Sequence, residues 1–459
     1  MRTLLLNPYI HDFTAFDLWL RPIGLLYIAA VLKKYTDCEI HWIDVLDRFQ
    51  DLKGSETKSS EDGRGKFHQE IIEKPEIYKQ IPRHYSRYGM PVSLFNEKLD
   101  QLPDLDFIFI TSLMTYWFDG IIFSIEHLRE RFPKAKIILG GILPTLLSRK
   151  IKKNIRVDDI IEGYGEGQVL EYLKKNQVHC NDHPDFSKID NIPFPAYEYL
   201  SSQRILPLLT SRGCPYQCTY CATNLLNPGF FERSSPNIIR EINTLVEKYS
   251  PEHMVIFDDA FLVNQQNRFQ RVFSEIKNIS GIKFHTPNGL HAREIKPETA
   301  DLLFKSGFKT IRLSFESIKA EILKRSSDKV NIEQMSRAIQ NLENAGYRRG
   351  EIEVYLLFGI NGQTRADLHD TLLFMGDLGV IPRLSYFSPV PGTIDYLNLQ
   401  QQGILSRDLN LYETNKTYFV YQKSGLTESD IHHIKELTNQ IVYSNREISP
   451  DWNGGNWPD

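Results

Sequence analysis

The sequence predicts an α/β chain: an N-terminal Rossmann-like (flavodoxin-like) parallel sheet, then a partial (β/α)6 TIM-like barrel, then a helical C-terminal extension. Three observations predict it. Short apolar runs alternate with amphipathic helical runs from Thr3 to Gly167, as in a parallel sheet covered on both faces. The alternation stops in a Pro-, Asn- and Asp-rich stretch, about His179 to Leu200, and then restarts. Six strand–helix units follow, most of a barrel whose chemistry would sit at the loops after its strands. A chain of 459 residues is too long for one core. The expected domains are residues 1–177 with a polar insertion at about 50–90, a linker at 178–200, a barrel at 201–393 and an extension at 394–459.

The elements follow in order. "TLLLN" is a first strand, the run from Arg21 to Lys34 a helix, and "EIHWIDV" a second strand ending just past Asp44. The charged stretch from Gln50 to Met90 has no clear period and reads as an insertion, partly mobile. "DFIFITS", the helix "FDGIIFSIEHLRERF", "AKIILGG", a short helix and "VDDIIEGYGEG" complete the first sheet. Ligands of such sheets lie beyond the carboxyl ends of the strands. Those ends carry Asn7, the run Thr111 to Trp117 with Ser112 and Met114, Gly140 and Gly141, and Glu162 to Gly167 with Gly163 and Gly165. Glycine there lets the backbone approach a bulky ligand, although a plain turn reads the same way. The barrel strands are "ILPLLT", "HMVIFDD", "IKFHTPNG", "TIRLSFES", "EIEVYLLFG" and "RLSYFSP", with helices such as "PNIIREINTLVEKY" and "KPETADLLFKSGF" between them.

Composition bounds the function. Hydrophobic residues at 41% and aromatic residues at 12% describe a globular chain with sizeable cores. A net charge of −4 gives no overall reason to expect a nucleic-acid partner. No apolar run reaches the length of a membrane span, and "MRTLLLNPY" breaks at Asn7-Pro8 before a signal core develops. The expectation is a cytoplasmic protein with reduced thiols.

Three of the five cysteines, Cys214, Cys218 and Cys221, crowd into "TSRGCPYQCTYCATN" directly after the first barrel strand. Three readings compete. Structural zinc wants four ligands, and the nearest histidines in sequence, His183 and His253, are far off. A redox pair uses Cys218 and Cys221 but leaves Cys214 unexplained. An iron–sulfur cubane on three thiolates leaves one iron open to bind substrate.

C-x-x-x-C-x-x-C with the aromatic Tyr220 before the last cysteine resembles the signature loop of the radical S-adenosylmethionine enzymes. The resemblance implies a 4Fe-4S cluster on Cys214, Cys218 and Cys221, with S-adenosylmethionine chelated at the open iron and cleaved to a 5′-deoxyadenosyl radical. It implies a cofactor-binding role for Tyr220 near the adenine. Asp258 and Asp259 in "FDDAFLVN" stand where the family contacts the methionine amine, against a reading of Asp259 as a helix cap. Arg293 in "NGLHARE" could approach the cofactor or form a surface salt bridge. Strand alternation puts Ser314 and Glu316 of "LSFES" on the face opposite Leu313 and Phe315, and a buried Glu316 needs a partner, a ribose or a substrate. "FGINGQT" resembles the motif that packs on adenine through Gly359 and Gly362, with Asn361 where relatives often carry proline. The likeness runs from about Ile205 to Thr393.

"ILGGILP", "IIEGYGEG" and "RPIGLLYIAAVLKK" resemble the cobalamin-binding domain that precedes the barrel in one large subgroup. That implies cobalamin at Asn7, Thr111, Ser112, Met114, Gly140, Gly141, Glu162, Gly163 and Gly165. The D-x-H-x-x-G motif of cobalamin-dependent mutases is absent; His11, His41, His68, His84 and His127 stand in other contexts. The subgroup commonly transfers methyl groups, so the expected function is methyl transfer to an unactivated carbon of a small-molecule or peptide substrate. A reductant such as flavodoxin or ferredoxin would supply electrons. The alternatives are a radical enzyme without cobalamin and a non-catalytic iron–sulfur redox sensor. Cys38 is expected to be buried and inert, with Cys180 in the linker. The C-terminal helical pattern "TESDIHHIKELTNQIVYSNRE" precedes a polar tail, "WNGGNWPD", and either covers the barrel mouth or contacts the substrate.

Overall fold

The computed structural model describes residues 1–54, 59–276, 281–319, 321–323 and 330–447; the polar tail lies outside them. The chain divides into two compact units, Met1–Arg204 and Ile205–Asp459.

In the first unit the elements are β1 (Arg2–Asn7), β2 (Ile10–Asp12), α1 (Ile23–Tyr35), β3 (Glu39–Asp44), β4 (Gln69–Ile72), β5 (Tyr85–Tyr88), α2 (Val92–Asp100), β6 (Phe107–Ile110), α3 (Phe118–Arg131), β7 (Lys136–Leu139), α4 (Ile142–Leu147), β8 (Asp159–Ile160) and α5 (Gly165–Lys175). Five of the strands form a parallel sheet in the order β8-β7-β6-β1-β3. This is the flavodoxin order, with its topological switch point between β1 and β6. The strands read as unbroken apolar runs because both faces are covered. Leu5, Phe107, Phe109 and Ile138 pack with Ala29 and Leu32 of α1 and Val169 and Leu173 of α5.

The stretch from Gln50 to Met90, expected as a partly mobile insertion without clear period, contains strands of its own. β2, β5 and β4 form a small antiparallel sheet in that order, and Phe67, Tyr78, Tyr85 and Tyr88 are buried. Its apolar content comes from isolated aromatics flanked by charges, and its partner strand β2 lies far upstream. No local period could reveal it. The Pro-rich linker is likewise tied down: Ala196 N–H donates to Leu26 O at 3.1 Å, and Tyr197 is buried. Cys38 is half-buried and Cys180 buried. Both pack in the core cluster of α1 and α5, and burial pushes both thiols up in pKa.

The second unit contains β9 (Ile205–Leu208), β10 (Ser211–Arg212), β11 (Phe231–Glu232), α6 (Ser235–Tyr249), β12 (His253–Ile256), α7 (Phe269–Ile276), β13 (Lys283–His285), α8 (Pro297–Lys305), β14 (Phe308–Phe315), α9 (Ile332–Ala345), β15 (Ile352–Phe358), α10 (Arg365–Asp377), β16 (Ile381–Tyr386), α11 (Ile394–Gln401), α12 (Lys416–Gln422) and α13 (Glu428–Glu447). Six parallel strands run β9-β12-β13-β14-β15-β16, an open barrel with β9 and β16 as its edges. Capping boxes at Asn331 and Thr364 start α9 and α10 by satisfying the first free N–H groups of each helix. α13 packs on α10, where Ile441 lies against Gly376, and Asn445 Nδ2 donates to Val380 O at 2.9 Å. α11 and α12 place Tyr396, Leu399 and Phe419 in a cluster that Tyr220 and Leu357 join. Part of the C-terminal extension therefore supports the cysteine loop.

Candidate functional site

The cysteine loop spans the gap between β10 and β11, which pair antiparallel. Gly213 opens it at φ +83°, where a Cβ would lie 2.0 Å from Gly229 O, so only glycine fits. Within the loop, Cys221 N–H donates to Cys218 O at 3.0 Å, and Thr223 N–H donates to Cys221 Sγ at 3.5 Å. All three thiols are half-exposed.

Below the loop, Asp258 at the end of β12 is fully engaged. It accepts from Thr210 N–H at 2.7 Å, from the Thr210 hydroxyl and from the Ser211 hydroxyl at 2.5 Å. Arg268 faces it at 3.7 Å and donates to Phe261 O at 2.8 Å. The carboxylate thus fastens β9, β10 and the loop after β12, with both of its oxygens engaged there. Asp259 turns the other way. Its side chain reaches solvent yet is ringed by protein, and burial followed by the charge of Asp258 pushes its pKa up to about 6.

Glu316, just past β14, is 2% exposed. Leu313 and Phe315 are buried, and Phe315 meets Phe374 of α10 at 5.7 Å. Alternation therefore turns Ser314 and Glu316 into the barrel, as the sequence predicts. Tyr220 donates its hydroxyl to Glu316 Oε1 at 2.8 Å, and Glu316 Oε2 is buried with no partner. An orphaned buried carboxylate oxygen is costly, and a ligand hydroxyl or N–H at the barrel mouth would satisfy it. Burial and then the Glu316 charge push the Tyr220 hydroxyl far up in pKa, so it remains a donor. Ser314 lies against Gly289, where a Cβ would meet Ser314 Oγ at 2.0 Å.

Gly359 and Arg293, expected as cofactor contacts, also meet the protein's own groups. Gly359 has φ +85°, but its missing Cβ makes room for Val420 of α12, and its N–H donates to Gln363 Oε1 at 2.8 Å. The close approach is thus to the protein's own helix. Gly362 has φ +82°, a turn position. Arg293 stands 4.9 Å above the Tyr216 ring, against the cysteine loop itself. Sequence reasoning missed Tyr216, Arg268 and Thr210, whose roles depend on contacts between distant segments.

In the first unit the expected residues gather at the strand ends in three ways. Asn7 Nδ2 donates to Asp44 Oδ1 at 2.7 Å. Ser112 donates to Gly140 O at 2.7 Å and accepts from Leu143 N–H at 3.0 Å, while a Cβ on Gly141 would lie 2.4 Å from Ser112 O. This knot fixes the ends of β6 and β7 together. Gly163 N–H donates to Thr145 Oγ1 at 2.8 Å, and Glu162 Oε1 accepts from Ser148 at 2.7 Å. Thr111 N–H continues the β1 ladder to Leu6 O at 3.1 Å. Met114 is 43% exposed, an apolar side chain open to a ligand. Gly165 is a packing glycine instead: a Cβ there would meet Ile28 of α1 at 2.9 Å.

A cubane takes each thiolate at a different iron, and three half-exposed thiols in one loop supply such ligands; among the described residues no three His, Cys, Asp or Glu side chains are grouped as a single ion needs. Residues 208–375 match the profile of the Radical SAM superfamily.

The barrel is a radical SAM domain.

The whole chain has relatives of the same build. It is 24% identical to the cytidylyl-2-hydroxyethylphosphonate methyltransferase of Streptomyces wedmorensis over 94% of this chain and 87% of that protein. It is 24% identical to the bacteriochlorophyllide d C-12(1)-methyltransferase of Chlorobaculum tepidum over 63% of this chain and 65% of that protein. In structure it resembles the radical S-adenosylmethionine methyltransferase TsrM of Kitasatospora setae, solved with cobalamin and a [4Fe-4S] cluster bound. The TM-score is 0.66 at 13% identity, covering 97% of this chain and 99% of that one. The cobalamin-dependent radical enzyme OxsB follows at TM-score 0.56 and 14% identity, covering 87% of this chain and 55% of that one. The fold shared with TsrM thus extends beyond the radical SAM domain to the flavodoxin-ordered sheet. No helix among the described residues is long and apolar enough to cross a membrane.

Proposed function

We propose that this chain is a cobalamin-dependent radical S-adenosylmethionine enzyme that transfers a methyl group to an unactivated carbon of a small-molecule or peptide substrate. The observation that carries the reading is the three-thiol loop at the carboxyl end of β9, in a chain whose first sheet has flavodoxin order. Cys214, Cys218 and Cys221 would hold a [4Fe-4S] cluster, which when bound supplies one electron to the sulfonium of S-adenosylmethionine and so generates a 5′-deoxyadenosyl radical. Cobalamin, when bound, would supply the methyl group.

The chain's own groups prepare that chemistry. Asp258 and Arg268 set the height of the cysteine loop over the barrel. Tyr220 holds one oxygen of Glu316 and leaves the second, buried and unpartnered, as an acceptor. Asp259 offers a solvent-reachable carboxylate for an ammonium group, whose charge would draw its pKa back down. In the first unit Thr111 and Met114 follow β6 at the switch point between β1 and β6, where open α/β sheets take ligands, and Gly140 and Glu162 follow β7 and β8 farther along the same edge. An oriented buried acceptor such as Glu316 suits a ligand-binding enzyme better than a redox sensor.

The test is anaerobic reconstitution with iron and sulfide, followed by hydroxocobalamin, desalting and corrinoid counting after cyanide extraction. About one corrinoid per chain, with 5′-deoxyadenosine formed from S-adenosylmethionine, is the expected result. An intact cluster with no corrinoid retained would overturn the cobalamin assignment and leave a cobalamin-free radical enzyme. Cys218→Ala should abolish 5′-deoxyadenosine formation; retained cleavage would overturn the cluster assignment.

A further inference from the structure

The segment after β13 closes on the cysteine loop and grips one residue, Tyr216, which lies between Cys214 and Cys218. His291 is 3% exposed and meets the Tyr216 ring edge to face, centroids 4.5 Å apart. The Arg293 guanidinium stands over the same ring at 4.9 Å, a cation–π contact strengthened by partial burial. The Tyr216 hydroxyl donates to Glu294 Oε1 at 3.4 Å. Within the loop, Asn224 Nδ2 donates to Tyr216 O at 2.8 Å. The gripping segment is itself anchored: Gln265 Nε2 donates to Glu294 O at 2.9 Å, and Asn341 Nδ2 from α9 donates to Ile295 O at 2.8 Å.

We infer that Tyr216, His291 and Arg293 are positioning residues for the iron–sulfur cluster: the ring fixes the loop, and Arg293 sets a fixed positive charge beside it that makes the cluster easier to reduce. The inference rests on the proposed cluster and goes beyond the contact with S-adenosylmethionine expected for Arg293. A cluster held by three thiolates becomes more negative when it takes an electron. A cation fixed nearby and partly shielded from bulk water stabilises the reduced form more than the oxidised one and raises the midpoint potential. Tyr216 is two residues from Cys214 and two from Cys218, so the cation over its ring stands over the cysteine loop itself.

The experiment uses the reconstituted full chain and reads iron and sulfide per chain together with the cluster midpoint potential from an electron paramagnetic resonance redox titration. Arg293→Gln should keep most of its iron and shift the midpoint to more negative potential, and Arg293→Lys should return it toward wild type. Tyr216→Ala should lose cluster severalfold on desalting. A purely structural grip would change iron content without moving the potential. An unmoved midpoint in Arg293→Gln overturns the inference. If that variant retains no cluster, Tyr216→Leu decides by the same titration: a negative shift supports the inference and an unmoved midpoint overturns it. A wild-type chain that binds no cluster overturns the iron–sulfur reading itself, whereas a normal wild-type cluster with unmoved variants overturns only this inference.

Discussion

Asp258 and Asp259 are neighbours with opposite fates. Both follow the same strand, yet Asp258 is consumed by Thr210, Ser211 and Arg268, while Asp259 is exposed with its pKa raised to about 6. Asp258→Ala should cost the second unit about 3 kcal/mol, because it removes the acceptor shared by Thr210 and Ser211 and one of the two carboxylates facing the buried Arg268 guanidinium; an unchanged denaturant midpoint would refute that role. In the first unit, burial and then the charge of Asp47 push Asp44 up to about 7 from an ordinary 3.8. The folded chain therefore holds a proton that the unfolded chain releases. That stability is fully present below about pH 4 and is lost as pH rises through about 7. Asp44→Asn keeps the Oδ1 acceptor used by Asn7 and Leu46 and removes the titration. Its melting temperature should be flatter than wild type from about pH 4 to 7, and higher at pH 8. Three of the five tryptophans, Trp19, Trp42 and Trp117, lie in this unit and the other two, Trp452 and Trp457, in the C-terminal tail, so fluorescence reports mainly on this unit, and a wild-type slope in the variant would count against the assignment. The sequence pointed to both aspartates of the pair but could not say which was free, because that depends on what Arg268 and Thr210 reach in space.

At the scale of elements, two glycines of the first unit make opposite predictions. Gly24 sits in the first turn of α1 with open space around its missing Cβ, so Gly24→Ala should stabilise by up to about 1 kcal/mol. Gly141 has φ +90° and Ser112 O in the place of its Cβ, so Gly141→Ala should destabilise by at least about 1–3 kcal/mol. Equal shifts in thermal unfolding would sink the pair. The strands of both parallel sheets were legible because burial on two faces writes long apolar runs. The β2-β5-β4 sheet was not, because its aromatics are scattered among charges. Gly165 and Gly359 were legible as glycines that something must approach. Only the packing of α1 and α12 shows that the approaching groups are Ile28 and Val420.

At the scale of the molecule, the chain carries two compact units split at Arg204 and Ile205, each built on its own parallel sheet. Phe419, fully buried beside Tyr396 and Phe387, belongs to the C-terminal extension. Phe419→Ala should cost the second unit about 3–5 kcal/mol and leave the Trp fluorescence transition of the first unit in place. Calorimetry on the same samples would separate the two transitions, and an equal loss in both would contradict independent cores. Tyr220 lies in the same cluster, so this variant should also loosen the support beneath the cysteine loop and lower cluster retention.

The amino-acid sequence by itself determined the two-sheet α/β build and the three-thiol loop after the first barrel strand. It also placed Ser314 and Glu316 on the barrel-facing side of their strand. These follow from local spacing: period two in strands, 3.6 in helices, and cysteines close enough along the chain to share one site. Tertiary structure decided how the groups around that loop are used. Asp258 became an anchor, Gly359 a seat for Val420, Arg293 a cation above Tyr216, and Glu316 an acceptor with one oxygen left unpartnered. Each outcome depends on segments far apart in sequence meeting at hydrogen-bond or van der Waals distance, and no local pattern encodes those meetings.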